Sequence, residues 1–294
     1  MICIVQMILR WEVGHGRGSA GSLFLTCGYT EAGEMQTFLR KMNPALEFKQ
    51  YLPNKTKKKK GMEKVVSSQI CGLTGSNLLH KTYEILRRHR EEISECVAIL
   101  IEDDLDNRFY GWSDEQINAY LEGVQKSVRN AVNCEIPVFI LYAAPEIESW
   151  FIADWDHGFG YLYGYSDVDF GIKKARRYFA EQLKAFIKSE ILKDYHDDIE
   201  NYGMDGGKYV KLSDELQEGI RHGVKAYIAK LPHTNSAYVE QIMRSRAIAY
   251  SKKEHGGVML RELVPERIEQ KAYMRHFRRV YYEIHDFMVE RDKD

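Results

Sequence analysis

The chain has 294 residues, 44% of them hydrophobic, 29% charged and 12% aromatic, a balance that excludes a disordered or fibrous protein and suffices to bury a core. Its 42 lysines and arginines against 43 aspartates and glutamates leave a formal net charge of -1, so a surface for a polyanion has to be a local patch. Five cysteines, at 3, 27, 71, 96 and 134, form no Cys-x-x-Cys pair. That points away from a zinc ribbon or disulfide framework and towards a reducing, cytoplasmic setting.

Residues 1–9 are apolar but shorter than a membrane span, and Arg10, Trp11 and Glu12 follow without the basic start or cleavage site of a signal peptide. They are either an extra strand over residues 2–9 or an atypical start. The glycine-rich stretch 14–21 lacks the Gly-Lys-Ser/Thr of a phosphate loop and reads as a flexible loop. A first buried strand is predicted over 22–27, then a helix over 34–42 with Met35, Phe38, Leu39 and Met42 on one face. Lys55, Lys57, Lys58, Lys59 and Lys60 form a basic run, suited to phosphate-backbone contact without sequence readout. The helix predicted over 77–93 extends that surface with Arg87, Arg88, His89 and Arg90. Two more apolar runs, 96–101 and 137–144, read as strands covered on both faces, with a helix over 114–132 between them. Ser113 and Gln116 give that helix a capping signature. Beyond Trp155 the pattern changes: a turn-like Gly/Tyr segment over 158–164, a helix over 172–192, a polar stretch, and helices near 213–230, 235–251 and 265–290. Arg244, Arg246, Lys252, Lys253 and His255 make this half a second candidate for substrate contact. The expected architecture is an α/β domain over 1–157, with a mostly parallel sheet flanked by helices, and a largely helical lobe over 158–294 packed on it.

Charge is uneven. Residues 100–169 carry a net -11, against +6 before and +4 after. The acids cluster where strands end: Glu31 in a turn after the first, Glu102, Asp103, Asp104 and Asp106 after the second, Glu146 and Glu148 after the third. Open α/β sheets place their sites at that carboxyl edge. Several ionised carboxylates cannot crowd there without a counter-charge, which a hard cation such as Mg²⁺ or Mn²⁺ supplies. In an extended chain Asp104 and Asp106 share a face while Asp103 points away, so the first two are the preferred ligands and Asp103 the alternative.

Gly28-Tyr29-Thr30-Glu31, the Asp104-Leu105-Asp106 pair and Ala144-Pro145-Glu146-Ile147-Glu148-Ser149-Trp150 together resemble the topoisomerase–primase (TOPRIM) superfamily. The closest likeness is to its small prokaryotic members related to the nuclease domains of overcoming-lysogenisation-defect proteins. The resemblance spans about residues 22–155 and departs from the pattern at Cys27, where that superfamily has an acid. It implies a Mg²⁺- or Mn²⁺-dependent nuclease acting on DNA or RNA, with Glu31 as general acid/base, Asp104 and Asp106 as metal ligands, and Glu146 and Glu148 as additional acids. It also implies a setting in antiviral defence, with a partner protein such as an ATPase; a second copy of the chain is a further candidate partner, and no membrane is expected, because no run approaches the ~20 apolar residues of a span. Two other readings compete. A haloacid-dehalogenase-type phosphatase would use Asp104 as nucleophile and Asp106 as acid/base, but it wants Thr or Val where Arg108 stands. A non-catalytic α/β module would keep the acids as surface residues for a partner.

Overall fold

Two strands buried along their whole length carry the architecture. In the computed structural model β4 (Ile99–Asp104) and β5 (Val138–Ala143) are buried at every residue. Their side chains alternate between two apolar clusters. Leu100, Phe139, Leu141 and Ala143 enter the first, while Ile99, Ile101, Val138, Ile140 and Tyr142 enter the second. Continuous apolar runs do this when a sheet is covered on both sides. The two strands are parallel, with Ile99 opposite Val138 and Asp104 opposite Ala143.

The structure describes residues 7–8, 20–25, 31–52, 75–94, 96–168, 176–195, 197–204, 208–228 and 250–287. It omits the side chains of 7–8, 20–25, 31–33, 50–52, 75–78, 92, 94, 176, 178 and 221–228. The lysine run at 55–60, Arg244, Arg246, the helix expected over 235–251 and most of the first 19 residues lie outside this set. Within it, β2 (Ala20–Leu25) pairs in parallel with β4 and with β3 (Leu46–Leu52), and β1 (Met7–Ile8) pairs antiparallel with β2. The parallel order is therefore β3-β2-β4-β5. After β2 the chain goes out to β3 and then crosses back to β4, so the direction of winding reverses between β2 and β4. Open α/β sheets place their sites at the carboxyl ends of strands beside such a reversal.

The helix α1 (Glu31–Met42) joins β2 to β3 and buries Met35, Phe38, Leu39 and Met42 in the first cluster. On the other face lie α2 (Gly75–Arg88), α3 (Arg90–Ser94) and α4 (Asp114–Val132). The reciprocal cap of α4 is formed: Ser113 Oγ accepts from the Gln116 N–H at 3.4 Å, and Gln116 Oε1 accepts from the Ser113 N–H at 2.9 Å. The remaining helices are α5 (Glu148–Ala153), α6 (Phe159–Gly164), α7 (Arg176–Phe186), α8 (Leu212–Ile228), α9 (Lys252–Glu262), α10 (Pro265–Glu269) and α11 (Arg275–His285). They build on the first cluster. Trp150 lies 5.4 Å from the ring of Phe38 and 5.1 Å from that of Phe277, and Lys41 reaches the carbonyls of Arg261 and Leu263 at 2.6 and 2.8 Å. Among the described residues no helix is long and apolar enough to cross a membrane.

Several boundaries differ from the sequence expectation. β4 runs on through Asp104, so three of the acids expected beyond the strand lie inside it. The helix expected over 77–93 breaks at His89, and the one expected over 172–192 ends in a π-helical turn over Ile187–Leu192. The turn expected over 158–164 contains α6, because its glycines serve packing: a Cβ on Gly160 would stand 2.6 Å from the indole of Trp155. β3 and α9 were not foreseen.

The first turn of α11 is capped from a distance. Met274 offers no side-chain cap, and the buried Glu200 carboxylate instead accepts from the N–H groups of Arg275, His276 and Phe277 at 2.7, 3.0 and 3.4 Å. Burial, working against these donors, pushes Glu200 up to about 7. A carboxyl raised above its unfolded value of 4.5 keeps its proton in the folded state over that interval. Its contribution to stability therefore falls as pH rises from 4.5 to about 7 and is level above. Melting temperatures of the wild type and Glu200→Gln across this range are expected to converge or cross in that sense. A wild-type advantage that grows with pH would show that the backbone donors outweigh burial.

Candidate functional site

The tails of β4 and β5 are joined beyond the sheet. The Leu105 N–H donates to Ala143 O and the Asp106 N–H to Pro145 O, each at 2.8 Å. The Ile147 N–H donates to Asp104 Oδ1 at 3.0 Å. Asp106 sits in the left-handed region with φ 51°, which a short polar side chain tolerates better than a branched one. The backbone thus turns sharply after Asp104, and Glu146 and Glu148 are brought alongside it at the carboxyl edge.

Each of these buried acids meets a donor from the helical half. The Lys252 ammonium, first residue of α9, lies 2.9 Å from Asp104 Oδ2 and 3.5 Å from Glu148 Oε2. The Tyr250 hydroxyl donates to Glu148 Oε1 at 2.7 Å. Glu146 accepts from the Ser213 N–H at 2.8 Å and from its hydroxyl at 3.0 Å, in the first turn of α8. Asp104, Glu146 and Glu148 are each at most 1% exposed and Lys252 is 22% exposed, so the ammonium is the solvent-facing member of the group. Burial pushes Glu148 up, opposed by Lys252. Tyr209 feels the charges of Glu146, Asp106 and Asp104, and burial first and then those charges hold its hydroxyl far above an ordinary phenol.

Asp103 belongs to the other side of the sheet. It lies opposite Tyr142 in the register, and its Oδ2 is 2.7 Å from the Arg108 guanidinium. That guanidinium stacks on the Tyr142 ring at 5.1 Å, donates to its hydroxyl at 3.1 Å and to the Asp104 carbonyl at 3.3 Å. Burial lifts Asp103 to about 8 against the pull of Arg108. The pair props the turn from behind.

Of the acids singled out in the sequence, the structure brings Asp104 and Glu148 together around one cation position and puts Asp106 in the adjoining turn. Glu146 is committed to Ser213, and Asp103 is separated from the group by the sheet. Glu31 begins α1, next in the chain after β2, and its side chain lies outside the described residues. Lys253 is exposed. Among the described residues no three His, Cys, Asp or Glu side chains stand close enough to ligate a single ion. The donor chemistry nonetheless fits a hard cation: Glu148 Oε2 is buried without a hydrogen bond, facing Lys252 across from Asp104. Sequence reasoning missed Ser213, Tyr250 and the inward role of Lys252, because pairing over 67, 102 and 148 residues leaves no local pattern.

No protein-family model, curated protein or solved structure matches the chain.

The back-face pair gives a direct test. Arg108→Met leaves the buried Asp103 oxygen without its donor, a change expected to cost about 1–3 kcal/mol. Adding Asp103→Asn should recover a large part of the loss in denaturant melts. Equal stability of both variants would remove the pair from any supporting role.

Proposed function

We propose that the chain is a metal-dependent phosphodiester hydrolase, a nuclease of the TOPRIM kind acting on DNA or RNA. One observation carries this reading: Asp104, the last residue of β4, and Glu148, the first residue of α5 just past the adjacent parallel β5, share a cation position at the carboxyl edge of the sheet, beside the reversal of winding. Asp104 and Glu148 would hold a Mg²⁺ or Mn²⁺ ion where the Lys252 ammonium now lies. Such an ion supplies positive charge that draws electron density from a phosphoryl group and makes water more acidic. The chain's own residues do the rest. Lys252, solvent-facing and cationic, presents its ammonium to a non-bridging phosphate oxygen. Tyr250 fixes the Glu148 carboxylate through its hydroxyl. Glu31 takes the proton of the attacking water, a role assigned by the resemblance.

A second reading, a partner-binding α/β module, is favoured by one feature: Ser213, Tyr250 and Lys252 already bind Glu146, Glu148 Oε1 and Asp104, so the acids have structural work in docking the helical half.

The deciding experiment incubates the protein with plasmid, single-stranded DNA and RNA, in Mn²⁺ or in EDTA, and follows melting with and without Mn²⁺. The nuclease reading expects Mn²⁺-dependent cleavage that falls about a hundredfold or more in Asp104→Asn and Glu31→Gln while both stay folded. It also expects thermal stabilisation by Mn²⁺ that Asp104→Asn abolishes. Intact substrates and an unmoved melting temperature would hand the site to the module. Hydrolysis of a phosphomonoester alone would hand it to a phosphatase.

A further inference from the structure

The turn after β4 also opens in another direction. Between residues 105–112 and the first turn of α11 lies a cavity of about 550 Å³, within the roughly 300–1,000 Å³ of pockets that take a small ligand. Tyr110, Trp112, Asn118, Arg275 and Arg279 line it, as does Leu105, the residue between Asp104 and Asp106.

Its chemistry is specific. Trp112 is 39% and Tyr110 51% exposed, unusual for large rings within a folded lining. The indole is held from behind by Phe109 at 5.3 Å and Tyr120 at 5.7 Å, so its position is set while part of it stays open. Arg275 and Arg279 are one helical turn apart on α11 and reach the same cavity. Neither makes an ion pair within the described residues. Both act on the half-buried His276, which burial first and then these two guanidiniums bring down to about 4. It is neutral at physiological pH. The helix N-terminus itself is not available to an outside anion, since Glu200 occupies its N–H groups. Asp114 and Asn118 add an acceptor and an amide to the wall. A ligand made for this lining carries a flat π-system, an anionic group and an edge with both donors and acceptors.

We propose that this cavity binds one unpaired nucleotide of a single-stranded nucleic acid, its base against Trp112 and its phosphate at Arg275 and Arg279. The inference rests on the nuclease reading and deepens it: the segment that carries Asp104 and Asp106 continues into residues 109–112, which wall the cavity. Aromatic stacking with guanidinium contacts is the common solution for single strands, and it tolerates any base.

The test measures binding without turnover. A short labelled oligo(dT) and a blunt duplex of equal length are titrated by fluorescence anisotropy in EDTA at several salt concentrations. The wild type is expected to prefer the single strand. Trp112→Ala should weaken it about tenfold while Trp112→Phe retains most of the affinity. The Arg275→Ala/Arg279→Ala double variant should flatten the salt dependence by about one to two counterions. No binding by the wild type, a preference for duplex, or folded variants that bind as the wild type does would each overturn the proposal. Cleavage in Mn²⁺ with unaltered binding by Trp112→Ala would sink this inference and leave the nuclease standing. Trp112-dependent binding without cleavage would do the reverse.

Discussion

The arrangement turns on the cost of burying carboxylates. Asp104, Glu146 and Glu148 are withdrawn from water at the edge of the sheet, and an ionised group so placed costs several kcal/mol unless donors replace its hydration. Lys252, Tyr250 and Ser213 are those donors. All three belong to the helical half, so the acids of the sheet fix how that half docks. The first cluster supplies most of the burial, through Phe38, Trp150 and Phe277. Apolar contact is tolerant of small shifts; the ion pair at 2.9 Å and the hydroxyl at 2.7 Å are not. Packing brings the halves together, and the polar edge sets their register.

One residue of offset separates two different jobs. Asp103 and Asp104 are neighbours whose side chains leave opposite faces of β4, as the period of a strand requires. Asp103 takes Arg108 and Tyr142 on the α4 side, and Asp104 takes Ile147 and Lys252 on the other. Arg108 ties the two, since it also donates to the Asp104 carbonyl. The sheet therefore presents Asp104 at a position defined from both sides, the rigidity a charged site needs if it is to act on a substrate.

The elements with local signals were legible in the sequence. The cap at Ser113 and Gln116 places the start of α4 at Asp114, and the apolar runs locate β4 and β5. β3 carried its signal in Leu46 and Phe48, buried, alternating with the exposed Glu47 and Lys49, but its charged residues hide the strand from a search for continuous apolar runs. The glycines near 160 read as a turn because sequence cannot tell a glycine needed for a positive φ from one needed for close packing against Trp155. At the site, the period of a strand separates Asp103 from Asp104, but the extended chain assumed for Asp106 ends at Asp104, and Asp106 lies in a turn with φ 51°. What no local pattern contains is the partner. Crowded acids call for a cation without saying which, and an ammonium 148 residues away stands in that place.

That ammonium links the structural and the chemical reading of the edge. Lys252 is the exposed member of a buried group, and in the proposed nuclease a divalent ion would take the place of the monovalent charge these two carboxylates hold. A lysine so released stays tethered to the first turn of α9, within a side-chain length of the carboxylates, where an incoming phosphate would need positive charge. The tail of β4 runs from this place through the turn at Asp106 to Trp112 at the rim of the arginine-lined cavity. Residues 103–112 thus join the back-face brace, the acid edge and the aromatic wall in one short segment. A displacement of that turn would be felt by all three, which explains why it is fastened by Arg108 on one side and by the carbonyls of Ala143 and Pro145 on the other.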